Sequence, residues 1–108
     1  PWPQPAGVGN QMSKDMNSQE RIVQIVKLLV GKELTGMLNK DLATQLKQSP
    51  VTICRDLAIL QKSGWVEPSP YGGYRLSPEF GRLSRVIARG FQKARLELTT
   101  EEDRYTGD

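Results

Sequence analysis

Residues 42–66 read LATQLKQSPVTICRDLAILQKSGWV, and this stretch decides the fold. Leu42, Ala43 and Leu46 recur at helical spacing and predict a short helix over about 40–46, with Asn39 as its N-cap. Lys47 and Gln48 make a tight link. Ser49 then caps a second helix, and Pro50 falls at its first position, where the missing N–H would have had no partner. Ile53, Leu57 and Leu60 form an inward stripe, and Gly64 ends the helix. The same periodicity turns Val51, Thr52, Cys54 and Arg55 outward, together with Ala58 or Ile59.

Upstream, Ser18 is the expected cap of a first helix carrying Ile22, Ile25, Val26 and Leu29 on one face, closed by Gly31. Met37-Leu38 is long enough for a single β-bridge only. Downstream, 65–67 and 74–76 read as short strands, and Gly72-Gly73 supplies the positive φ of a hairpin tip. Ser77-Pro78 repeats the cap signal. A last amphipathic helix then runs to about Leu98, carrying Phe80, Leu83, Ile87, Phe91, Ala94 and Leu98 at spacings of three and four.

The expected class is therefore α+β, mostly α. It is a winged helix-turn-helix, with a three-helix core and a two-stranded wing, plus a C-terminal helix. The expected divisions are a disordered leader at 1–17, the main domain at 18–77, the amphipathic helix at 78–98 and an acidic disordered tail at 99–108. The leader is rich in Pro, Gly, Asn and Gln and lacks the apolar surface to order itself. Met12 is the expected native start, with 1–11 a non-native extension.

Bulk properties narrow the function. The 108 residues suit one modest core. No apolar run nears the ~18 residues of a membrane span, and no signal peptide opens the chain, so a cytoplasmic protein is expected. Histidine is absent and Cys54 stands alone, which removes the commonest general base, the usual triads and any internal disulfide. No enzyme activity, metal or cofactor is expected. Net charge is only +3, but it is polarised. Arg75, Arg82, Arg85, Arg89, Lys93 and Arg95 face one acid, Glu79; Glu97, Glu101, Glu102, Asp103 and Asp108 then follow, with Arg104 opposing them. Such a layout suits a polyanion-binding segment followed by a solubilising or partner-binding end, or simply a solvated helix face.

A helix with its side chains fits the DNA major groove, about 12 Å wide, and its N-terminal residues reach base edges. The expected role is thus a double-stranded DNA-binding regulator, with helix 49–63 in the groove and the 67–75 wing on the backbone. The alternative is a winged-helix module for protein interaction, since helix 49–63 carries only Arg55 and Lys62 as cations. Single-stranded or RNA binding is the weaker third reading, because Trp65, Tyr71, Tyr74, Phe80 and Phe91 read mostly as core.

Residues 42–66 resemble the helix-turn-helix of DeoR-type bacterial regulators, in which a Leu-Ala pair, a Ser cap, Thr-Ile-x-Arg-Asp-Leu and a closing Gly-Trp-Val recur in this register. Residues 65–78, WVEPSPYGGYRLSP, are similar to the wing of IclR-type regulators. The two resemblances cover roughly 18–80 and imply a prokaryotic or phage DNA-binding module, without the effector domain that follows it in those families. They place Thr52, Cys54 and Arg55 toward DNA, with Ser49 and Val51 beside them. Three positions depart from the pattern: Lys47 where glycine is usual, Gln48 in place of an apolar plug, and Pro50 at the helix start. Two assignments compete for Arg55, a base or phosphate contact and an ion pair with Asp56 or Asp41. Thr52 serves either a phosphate or the Ser49 turn, and Cys54 is either a redox-sensitive thiol or a small filler. Tyr71 and Arg75 are the wing candidates, and Arg82, Arg85, Arg89 and Lys93, on the side of the last helix away from its apolar residues, form a phosphate-facing stripe if that helix runs beside the duplex. The apolar side of 80–98 is expected either to pair two copies or to complete the monomer core. A homodimer would space two recognition helices by about 34 Å. The acidic tail is the expected site for any protein partner.

Overall fold

The computed structural model describes residues 16–107. It holds four helices, α1 (Ser18–Leu29), α2 (Asn39–Leu46), α3 (Pro50–Lys62) and α4 (Pro78–Thr106), and two strands, β1 (Val66–Pro68) and β2 (Tyr74–Leu76). The chain is mostly α, with one antiparallel two-stranded sheet whose strands follow α3 in sequence. It divides into two compact units at Ser77/Pro78. Among the described residues no helix is long and apolar enough to cross a membrane.

In the first unit α1, α2 and α3 pack on one another and against the hairpin. Ile25 and Leu29 of α1, Leu42 and Leu46 of α2, and Ile53 and Leu57 of α3 are fully buried at its centre, and Val66 and Leu76 close it from the sheet. Burying a Leu or Ile side chain stabilises a fold by roughly 1.5–3 kcal/mol, so these few positions supply most of the drive for so small a core.

The starts of α1 and α2 differ from expectation. Asn17, not Ser18, caps α1: its Oδ1 accepts from the Glu20 N–H at 2.8 Å, and Glu20 Oε1 accepts from the Asn17 N–H at 3.1 Å. This reciprocal box satisfies two donors that the helix leaves open. Met16 is buried and its carbonyl accepts from Arg21, so positions 16 and 17 belong to the fold and not to a leader. The remaining leader positions lie outside the described residues. At α2 the N-cap is Leu38, without a side-chain cap, and Asn39 is already helical. Its side chain goes elsewhere.

The link between α2 and α3 turns on Lys47, at φ 57° and ψ 44°, the one non-glycine with positive φ among the described residues. An L-residue there carries about 1–2 kcal/mol of strain. The turn is held by the Gln48 N–H on the Ala43 carbonyl at 2.9 Å.

Val66 pairs with Leu76, Glu67 with Arg75 and Pro68 with Tyr74. Met37 adds the expected bridge, exchanging both backbone hydrogen bonds with Tyr74 at 2.8 and 2.9 Å. Gly72 and Gly73 take φ of 97° and 74° at the tip. Ser69 braces the loop, its hydroxyl donating to the Thr35 carbonyl and accepting from the Tyr71 N–H.

The second unit is α4 alone. It runs past the expected end at Leu98 to Thr106, so 99–106 are helical rather than a disordered tail. Arg104 grips Glu101 one turn back at 2.7 Å, and the Thr106 hydroxyl donates to the Glu102 carbonyl. The acidic run is thus laced into the helix, and charge alone does not exclude helix where such pairs form.

Candidate nucleic-acid interface

α3 turns its core stripe inward, together with Asp56, and leaves most of its other residues exposed. Ile53, Leu57 and Leu60 are buried; Val51, Cys54, Arg55, Ala58 and Ile59 are exposed and Thr52 is half-buried. Ser49 and Thr52 form a closed pair at the start of the helix. The Thr52 N–H donates to Ser49 Oγ at 3.1 Å and the Ser49 hydroxyl donates to Thr52 Oγ1 at 2.8 Å. Pro50 carries no N–H, and the Ile53 N–H already reaches the Ser49 carbonyl. A helix N-terminus attracts anions through its free donors, and here most of them are engaged or missing. Charge recognition at α3 must therefore come from side chains.

Of those, Arg55 stands free. Its rival assignment fails because Asp56 is taken by Arg21, whose Nε donates to Asp56 Oδ2 at 2.7 Å and whose second arm reaches Oδ1 at 3.2 Å. Asp56 is 3% exposed at its side chain and Arg21 is 17% exposed. The carboxylate bond holds the Arg21 guanidinium above its ordinary pKa, against an opposing effect of burial. Arg55 makes no ion pair among the described residues. Sequence reading missed Asp56 as a buried residue: one position from the Leu57 stripe, it has the look of a surface acid.

Asn39 was also missed. Its Nδ2 donates to Cys54 Sγ at 3.1 Å, so the start of α2 abuts the outward face of α3; Lys40, the next residue of α2, is exposed. Lys47, exposed at the turn, is a second cation outside α3. No local signal marked it, because the contact joins residues fifteen positions apart and depends on how α2 packs on α3.

The wing candidates separate. Tyr71 is exposed at the loop tip. Arg75 is not free: its Nε donates to Glu67 Oε2 at 2.8 Å across the hairpin, and a terminal nitrogen reaches the Glu33 carbonyl at 3.4 Å. Its role here is to fasten the sheet. Trp65, read as core, keeps 40% of its surface exposed; Tyr71 and Phe91 are exposed too, while Tyr74 and Phe80 are half-buried. Trp65 follows the helix-ending glycine and precedes β1, a boundary from which only Val66 points fully inward.

Within α4, Arg82 is tied to Glu79 through two bonds of 2.8 and 2.7 Å, whereas Arg85, Arg89 and Lys93 are exposed on the same side of the helix. The Arg82 hydrogen bonds hold the Glu79 carboxyl below its usual range, and Glu79 in turn raises the Arg82 pKa. No family model, curated protein or solved structure matches this chain.

Proposed function

We propose that the protein is a non-enzymatic, double-stranded DNA-binding regulator of the winged helix-turn-helix class, prokaryotic or phage in origin. α3 enters the major groove, Arg55 reads a base edge or phosphate, and the hairpin tip with Tyr71 lies on the backbone. One observation carries the reading: the outward face of α3 is left exposed, with an unpaired Arg55, by a core that engages only its other side. A guanidinium held on a helix in this way can meet guanine O6 and N7 with two parallel hydrogen bonds. Asn39, Lys40 and Lys47 add polar and cationic contacts at its margin.

A second reading is a winged-helix module that docks a protein. It is favoured by Val51 and Ile59, both exposed on that same face, and by how few cations α3 carries.

Binding to random and selected duplex DNA across a salt series separates the two. The DNA reading expects affinity to fall steeply with salt, and Arg55→Ala to weaken duplex binding. The loss is about 1–3 kcal/mol greater at the selected site than on random DNA where Arg55 reads a base, and equal on both where it meets a phosphate. A folded protein that binds no duplex at low salt overturns it in favour of the second reading.

A further inference from the structure

Around the first turn of α3 the polar side chains are already engaged. Ser49 and Thr52 hydrogen-bond each other, and the Asn39 amide donates to Cys54 Sγ. Two side chains stay outward and uncommitted. One is Val51, 62% exposed; the other is Arg55, four residues later and without an ion pair among the described residues. Positions four apart are neighbours on one face of a helix, so the two share that face.

The fold does not account for Val51. The core takes Ile53, Leu57 and Leu60 from α3 and leaves most of the Val51 isopropyl group in water. A β-branched residue is also a poorer helix former than alanine. An exposed valine in the first turn therefore weakens the helix slightly and gains little from packing.

We infer that Val51 reads the C5-methyl group of a thymine in the major groove, a step that rests on α3 entering that groove as proposed above. The chemistry selects this occupant. Each base pair lines its major-groove edge with hydrogen-bond donors and acceptors, and in unmodified DNA thymine alone adds an apolar group there. An isopropyl group neither donates nor accepts. Against the N4 amino group of cytosine, or O6 and N7 of guanine, it displaces water without replacing the hydrogen bonds that water made. Against the thymine methyl it buries apolar surface on both sides.

Place in the helix and stiffness agree with that choice. The N-terminal residues of a recognition helix are the ones that reach base edges, and Val51 is the second residue of α3. Ile59, 55% exposed, lies eight residues further on, about 12 Å along the axis at 1.5 Å per residue. The β-branch holds Val51 to essentially one rotamer in a helix, so the contact orders no flexible side chain. Arg55 beside it supplies attraction to the polyanion, and Val51 supplies discrimination.

The test begins with duplexes selected by the full chain from a random-sequence pool. Each thymine of a selected duplex is then replaced in turn by deoxyuridine, which removes the methyl group and keeps the base pairing. At the thymine read by Val51, affinity should fall about four-fold, the worth of one buried methyl-sized group. Val51→Ala should bind the thymine and deoxyuridine duplexes equally at that position, and Ile59→Ala should keep the four-fold difference. Alanine is the better helix former, so Val51→Ala keeps its fold, which thermal unfolding checks. The inference is overturned, with the DNA reading left standing, if no single replacement weakens binding. It is overturned in the same way if the loss persists in Val51→Ala or disappears in Ile59→Ala. A folded protein that binds no duplex at low salt overturns both.

Discussion

Arg21 on α1 and Asp56 on α3 are joined by two hydrogen bonds, 2.7 and 3.2 Å long, thirty-five positions apart in the chain. The acid is enclosed while the guanidinium keeps a partial view of solvent. The pair ties α1 to α3 on the same side as the buried Ile53, Leu57 and Leu60, and Arg55, the next residue to Asp56, stays exposed. Arg21 also donates to the Met16 carbonyl, so one side chain ties the start of α1 to α3.

Arg21→Met leaves the Asp56 carboxylate buried without its partner. Breaking a buried pair from one side destabilises by roughly 3–5 kcal/mol, and the partial exposure of Arg21 places the expected loss near the lower end, about 3 kcal/mol. Replacing both, Arg21→Met with Asp56→Leu, should recover most of it, since two apolar groups leave no stranded charge. Urea unfolding of the two variants checks this; equal midpoints would show that the stranded charge is not what destabilises the single variant. The raised Arg21 pKa adds stability at every pH below the ordinary arginine range, lost only as pH rises through it, so the pair itself is constant across neutral pH.

That pairing marks the limit of what the sequence made legible. The helices α1–α3, the Gly72-Gly73 tip and the bridge at Met37 follow from local rules, namely helical spacing, positive φ at glycine and caps. The α1 box was legible too, because Asn17 and Glu20 carry the cap spacing that Ser18 and Arg21 lack. Asp56 in the core and the engagement of Arg75 by Glu67 were not, because each depends on a partner brought near only by tertiary packing or strand register. The continuation of α4 through an acidic run was hidden by net charge, which conceals the Glu101–Arg104 pair inside it.

Lys47→Gly should stabilise the protein by about 1 kcal/mol, because glycine enters the left-handed region without the Cβ clash that lysine bears there. Thermal unfolding should rise by a few degrees. An unchanged or lower midpoint would mean that the gain is cancelled by the added backbone freedom of the unfolded chain.

Gly73→Ala should act in the opposite direction. Gly73 holds φ 74°, and a Cβ there would fall onto the carbonyl of Met37, the partner of Tyr74 in the bridge. Both backbone strain and the collision push the hairpin off α2's leading loop, for a loss of roughly 2 kcal/mol or more. Amide exchange at Met37 and Tyr74 should quicken more than at Leu57; equal protection at all three would contradict the collision.

Glu79 provides a readout of its ion pair with Arg82. The carboxyl is held below its usual range by hydrogen bonds from Arg82, so the pair's contribution is present above the ordinary glutamate pKa and fades as pH falls through the lowered folded value. Both groups are exposed, and the effect on stability is small. The titration midpoint, followed by NMR at the Glu79 side-chain carboxyl carbon, should lie below that of a free glutamate, and Arg82→Gln should move it back up. A midpoint indifferent to that change would detach the shift from Arg82.

The same pair predicts how the arginines of α4 divide in DNA binding. Arg85 and Arg89 are exposed and unpaired among the described residues, whereas Arg82 must give up two bonds to Glu79 before it can meet a phosphate. Each phosphate contact adds about 0.9 to the slope of log affinity against log salt. Arg85→Gln and Arg89→Gln should each lower that slope by nearly one, and Arg82→Gln by clearly less. Adding Glu79→Gln to the wild type should free Arg82 and steepen the slope. If all three arginine variants reduce the slope equally, Glu79 does not withhold Arg82; if none does, α4 lies away from the duplex and the phosphate contacts belong to Lys40, Lys47 and Arg55.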